Sequence, residues 1–179
     1  MSEERMIFAG AGGMGIMLMG KVMALAATNE GLNVTWFPSY GAEVRGGTAH
    51  CHVVLDSEEI YSPFVEKATT MIVMNDLSLA KFLPRLARGG LLILNTSLAA
   101  PPRDLDGALV EIAATDAANA LGNIRVANLV MLGALNAKKR LVKEDSLYGA
   151  LVEFAGTAKK HLIEVNMAAY RKGIELAGA

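Results

Sequence analysis

The apolar positions of this chain fall into short continuous runs ended by glycines and longer runs of helical spacing, an order that predicts strands alternating with helices. Arg5-Met6-Ile7-Phe8-Ala9 reads as a buried strand. It runs into Gly10-Ala11-Gly12-Gly13-Met14-Gly15 and then into a helix reaching about Asn29, apolar around most of its circumference. Such a helix needs cover on more than one side; its methionines suit adaptable core packing or a subunit contact. Gly31 ends it, and residues 34–37 supply a second strand, completing the βαβ order of a parallel sheet.

Residues 48–55 alternate instead. Ala49, Cys51, Val53 and Leu55 share an apolar face, while Thr48, His50 and His52 share the other. Asp56-Ser57-Glu58-Glu59 predicts a polar turn into Ile60-Tyr61, hence a hairpin added to the sheet and stopped by Pro63. Residues 71–74 and 91–94 are further buried strands with a helix over 77–86 between them, and 109–113 adds a short strand. The rest predicts helices at 115–121, N-capped by Thr115 or a neighbour, then at 126–138, 146–154 and 160–176. The expected fold class is α/β: a Rossmann-like, mostly parallel sheet with flanking helices, one added hairpin and a helical C-terminal region, in one domain over residues 1–179.

Composition narrows the setting. With 53% hydrophobic and 20% charged residues, the chain is apolar enough that part of its surface is expected to face another chain. The longest apolar stretch, residues 16–27, is broken by Gly20 and Lys21, and the N-terminus is acidic and polar, so neither a membrane span nor a signal peptide is expected. The net charge is -1, and the cluster Lys138, Lys139, Arg140 and Lys143 follows a predicted helix, where it complements the dipole and does not call for nucleic acid. The single cysteine, Cys51, excludes an intrachain disulfide, fits a reducing cytoplasm and leaves the chain without the roughly four thiolates of an iron-sulfur cluster.

Of the candidate motifs, the glycine turn is the best placed. Residues 10–15 fit GxGxxG between a strand and a helix, where backbone N–H groups and the helix N-terminus favour an anion such as phosphate. A nicotinamide-binding version should place an acid near the end of the second strand, and Val34-Thr35-Trp36-Phe37-Pro38 has none, which lowers the reading as a stand-alone dehydrogenase. Residues 15–21 imitate a Walker A loop, but Val22 stands where Ser or Thr must hold magnesium. His50, Cys51 and His52 look like metal ligands in a row, yet alternation sends Cys51 to the opposite face.

The glycine turn, taken together with Ser39-Tyr40-Gly41-Ala42-Glu43-Val44-Arg45-Gly46-Gly47 and with Asp56-Ser57 through Ser62-Pro63, resembles the gamma subunit of 2-oxoacid:ferredoxin oxidoreductases, with the 2-oxoglutarate and branched-chain types foremost. The likeness extends to Asn166-Met-Ala-Ala-Tyr-Arg-Lys-Gly173 near the C-terminus. Met14 departs from it, standing where many relatives have Gln.

The resemblance implies an enzyme that decarboxylates a 2-oxoacid on thiamine diphosphate, passes electrons through 4Fe-4S clusters to ferredoxin and delivers the acyl group to coenzyme A. Thiamine diphosphate, magnesium and the clusters are then expected on partner subunits of alpha, beta and delta type, and the chain holds no cofactor or metal alone. What remains for it is assembly and a share of coenzyme A. The candidate contacts are Gly10, Gly12, Gly13, Met14, Gly15, Ser39, Tyr40, Gly41, Glu43, Arg45, Gly46 and Gly47, none of them catalytic. Arg45 is expected to meet phosphate with Glu43 orienting it, or the two form a subunit contact around a tight turn; both readings stay open. A purely structural assembly subunit, a stand-alone nucleotide-binding enzyme and a homodimer of the isolated chain are the alternatives.

Overall fold

The computed structural model describes residues 3–39, 47–155 and 160–178. Six strands, β1 (Glu4–Ala11), β2 (Asn33–Ser39), β3 (Thr48–Asp56), β4 (Ala68–Val73), β5 (Leu86–Asn95) and β6 (Gly107–Ile112), form one sheet in the order β2-β3-β1-β4-β5-β6. The helices are α1 (Ile16–Asn29), α2 (Asp76–Phe82), α3 (Ala114–Ala120), α4 (Ala127–Lys139), α5 (Glu144–Ala155) and α6 (Lys160–Gly178). This is the expected α/β class: β1, β4, β5 and β6 are parallel neighbours, and α6 closes the C-terminal region.

The buried strands read as continuous apolar runs because both their faces are covered. Met6 and Phe8 of β1, Ile72 of β4 and Ile93 of β5 point into a core shared with α1 and α3 to α6. Ile7, Ala9, Met71, Val73, Leu92 and Leu94 point into a smaller core beneath α2. The all-round apolarity of α1 has the expected explanation, since strands lie on one side of it and α5 on another.

Two expectations about the first half are corrected. β1 and β2 run the same way but are not neighbours, because β3 lies between them and pairs antiparallel with both, Phe8 opposite Cys51 and Phe37 opposite His52. The added hairpin is therefore β2 with β3. Ile60-Tyr61 forms no strand. Both edges of β3 are already occupied, and the Asp56 carboxylate accepts the Glu58 N–H at 3.1 Å, turning the chain away.

Smaller differences have local causes. The helix expected over 77–86 stops at Phe82 and tightens into a 3-10 turn at Leu83–Arg85, where Pro84 brings no N–H. Thr115 does not cap α3; Asn95, reaching over from the end of β5, accepts the Ala114 and Thr115 N–H groups at 3.0 and 3.3 Å. α4 and α6 cross at glycines: a Cβ on Gly133 would overlap the Tyr170 carbonyl, and one on Gly173 the Val130 carbonyl.

Candidate functional site

β1 enters α1, and β4 enters α2, on opposite faces of the sheet, while β1 and β4 are adjacent. The carboxyl ends of these two strands therefore flank a topological switch point, the usual ligand crevice of an open α/β sheet. The glycine turn sits there. Gly13 and Gly15 have φ of 90° and 73°, the left-handed region where only glycine is at ease, so the chain reverses within four residues and aims the start of α1 outward. Gly10 is required for space, since a Cβ there would press on the Ile16 side chain and lie 3.0 Å from the Met74 Cβ.

The turn is braced from within. The Met14 N–H donates to the Ala11 carbonyl at 3.2 Å, and the Met14 thioether accepts the Ala11 N–H at 3.3 Å. Met14 thus turns its acceptor back on the loop. From 113 residues away, the buried Asn128 donates through Nδ2 to the Gly15 carbonyl at 3.1 Å and sits where a Gly15 Cβ would be.

Four helices begin at this edge of the sheet, and they are treated differently. α4 also lacks a side-chain cap and a first-turn acid, but it continues the 3-10 turn Ile124–Val126, where the Asn123 side chain accepts the Arg125 N–H at 3.1 Å. The N-terminus of α2 has the Asn75 side chain, which accepts the Ser78 N–H at 3.2 Å, and Asp76 in its first turn. That of α3 has Asn95 and Asp116. At α1, Gly15 is the capping residue, no side chain accepts a cap hydrogen bond and no acid stands in the first turn. Among the described residues, the positive end of α1 is left to the backbone, where the first N–H groups have no intrahelical acceptor.

Grooves open on both sides of the turn. One, of about 310 Å³, runs between Gly12, Gly13, Ile16 and Met17 on one wall and Ser39 and Ala49 on the other. The second, of about 170 Å³, lies over the switch point between Gly13, Met14, Met74, Leu98, Thr115 and Arg125. Gly12, Gly13, Gly15 and Ser39 are thus gathered at one groove, and Met14 at its neighbour. Gly47 immediately precedes β3, at the same edge. Tyr40, Gly41, Glu43, Arg45 and Gly46 lie outside the described residues. Sequence reasoning missed Asn95, Asn128 and Arg125; an asparagine closing the apolar run Leu91-Leu92-Ile93-Leu94 was the one available signal.

Cys51, His50 and His52 do not converge. Cys51 faces α1, its thiol 3.6 Å from the Ile16 carbonyl and pushed up to about 12 by burial, which makes it inert. His52 faces the other way. Its Nδ1 accepts the Val65 N–H at 3.1 Å, and burial, with Arg85 and then His50 nearby, lowers it to about 4. Both side chains serve packing.

Residues 5–176 match the family described as pyruvate ferredoxin/flavodoxin oxidoreductase. The chain belongs to this family. It is 33% identical over 178 residues to the ketoisovalerate oxidoreductase subunit VorA of Methanothermobacter thermautotrophicus, covering 98% of this chain and 36% of that protein. It is 32% identical over 178 residues to the 2-oxoglutarate synthase subunit KorC of the same organism, covering 94% of this chain and 92% of KorC. The gamma subunit of a keto/oxoacid ferredoxin oxidoreductase from Geobacter sulfurreducens superposes with a TM-score of 0.83 at 26% identity, over 97% of this chain and 98% of that one. The resemblance to oxidoreductase gamma subunits is borne out. This chain spans about a third of the length of the first curated relatives it matches, the VorA proteins, and nearly all of KorC. No helix among the described residues is long and apolar enough to cross a membrane.

Proposed function

We propose that the chain serves as the gamma-type part of a cytoplasmic 2-oxoacid:ferredoxin oxidoreductase, working with alpha-, beta- and delta-type subunits, and that it holds the phosphates of coenzyme A while the acyl group is transferred. The observation that carries the reading is the bare N-terminus of α1: of the other helix starts at this edge among the described residues, those of α2 and α3 have a side-chain acceptor and a first-turn acid, and α4 continues a 3-10 turn capped by Asn123. A phosphate seated there gains unpaired backbone donors and the helix dipole together. Ser39, across the groove from Gly12 and Gly13, is the described residue nearest in sequence to Glu43 and Arg45 on that side, and in this reading Arg45 is the cationic partner of that phosphate and Glu43 its orienting acid.

The redox cofactors belong elsewhere in this reading. One buried, protonated cysteine offers no donor set for a 4Fe-4S cluster, so the clusters, thiamine diphosphate and its magnesium fall to companion subunits, with ferredoxin as electron acceptor. The relatives' names divide between ketoisovalerate and 2-oxoglutarate; we favour 2-oxoglutarate, the substrate named for the KorC proteins that this chain matches nearly end to end. In the assembled enzyme, Arg45→Ala and Gly13→Ala are each expected to weaken coenzyme A binding about tenfold, equivalent to about 1.4 kcal/mol. Titration calorimetry on the intact complex measures this. Unchanged affinity in both variants would leave the chain an assembly subunit alone.

A further inference from the structure

The two grooves beside the glycine turn share Gly13 and differ in size and lining. The larger, about 310 Å³, lies on the side of β2 and β3, and the smaller, about 170 Å³, on the side of β4 and α3. Met14, Met74, Leu98 and Ile124 wall the smaller one. Leu98 and Ile124 stay 42% and 56% exposed there, so its walls present thioether and branched aliphatic surface to whatever enters.

Thr115, only 8% exposed, supplies a directed polar group among these walls. Its hydroxyl accepts from the Asn95 amide nitrogen at 2.9 Å, and Asn95 cannot turn over, because its oxygen already accepts the Ala114 and Thr115 N–H groups. The Thr115 hydroxyl proton is therefore not used on Asn95, and among the described residues no acceptor meets it. The neighbouring carbonyls are engaged: Met74 accepts from Asn95, Leu98 from the Asp76 N–H and Ile124 from the Ala127 N–H. What the groove has to give is one donor against apolar walls.

That provision selects between the two ends of coenzyme A. An adenine edge carries an amino donor beside its ring acceptors and asks for both kinds of partner. The part of the arm next to the diphosphate carries two methyl groups on one carbon, with a carbonyl acceptor beside them. We propose that the smaller groove takes this branched aliphatic head of the arm, its carbonyl accepting from Thr115, while the bulkier adenosine lies in the larger groove. The diphosphate then straddles the turn at Gly13, with Arg125, the charged residue of the smaller groove, on the arm's side. The proposal rests on the phosphate reading of α1 and adds to it the direction in which the ligand crosses the turn.

The test titrates the assembled enzyme with coenzyme A, phosphopantetheine and adenosine diphosphate. Thr115→Val is expected to weaken the first two about tenfold and to leave adenosine diphosphate unchanged. Thr115→Ser, which keeps the hydroxyl, should bind all three as the parent does. Ile124→Ser should weaken the same two ligands several-fold; its side chain is exposed enough not to disturb folding, and it decides the matter if Thr115→Val does not assemble. Weaker adenosine diphosphate binding in these variants puts the base in this groove and overturns the proposal, and so do three unchanged affinities. Gly13→Ala reports on the phosphate reading separately. It should weaken all three ligands, and if it weakens none, that reading fails and takes this proposal with it, whatever the groove variants do.

Discussion

The starts of α1 and α3 lie at the same edge of the sheet and answer the same physical problem in opposite ways. At α3, Asn95 accepts two N–H groups of the first turn and donates to the Met74 carbonyl and the Thr115 hydroxyl at 3.1 and 2.9 Å, so β4, β5 and α3 are tied by one buried amide. At α1, the protein spends its nearby asparagine on a carbonyl: Asn128 donates to Gly15 and leaves the N–H groups alone. One helix start is sealed for stability. The other is braced from behind and left open in front, as an anion-binding turn must be.

Removing the seal should have the largest effect. Asn95→Ala strands several buried polar groups and is expected to cost about 3 kcal/mol in urea unfolding, with coenzyme A affinity unchanged in whatever complex still forms. Gly15→Ala attacks the brace, combining left-handed strain with overlap against Asn128, and should cost about 2 kcal/mol and also weaken binding. Gly13→Ala separates the two effects. No atom lies within 4 Å of its Cβ position, so stability should fall by only about 1 kcal/mol while binding drops about tenfold.

A smaller effect is expected away from this edge. His52 is held neutral down to about pH 4 when folded but titrates near its ordinary 6.5 when unfolded. Its contribution is complete above pH 6.5 and is lost as the pH falls toward 4, because only the unfolded chain takes up the proton in that window. Between pH 7 and 5.5 the loss should be about 1 kcal/mol, seen as the difference between the parent chain and His52→Gln in unfolding curves at the two values. A parallel loss in both chains would refute it.

The sequence disclosed those parts of the fold that depend on near neighbours. The apolar runs of β1, β4 and β5, the glycine turn and the order of the helices are local consequences of burial and backbone freedom. The insertion of β3 was hidden, because its alternation shows which face of each residue is buried but says nothing about which strands flank it. The site was legible to the same depth. Gly13 and Gly15 declare a left-handed turn by themselves, whereas Asn128 reaches Gly15 across 113 residues and Asn95 reaches α3 across 19 and 20, distances over which no periodicity carries information.

The position of β3 also bears on the order of folding. With α1 packed over them, β1 and β2 lie about 10 Å apart, two strand spacings, and a gap of unpaired backbone remains between them until β3 fills it. β2 and β3 can zip together as neighbours in sequence, but Glu4 must wait for Leu55 and Ala11 for Thr48, partners 51 and 37 residues away. Closure of the loop between β2 and β3 therefore belongs to the early, local part of folding and the central seam of the sheet to the late part. The candidate anion-binding edge would then gain both of its walls only in the last step of folding.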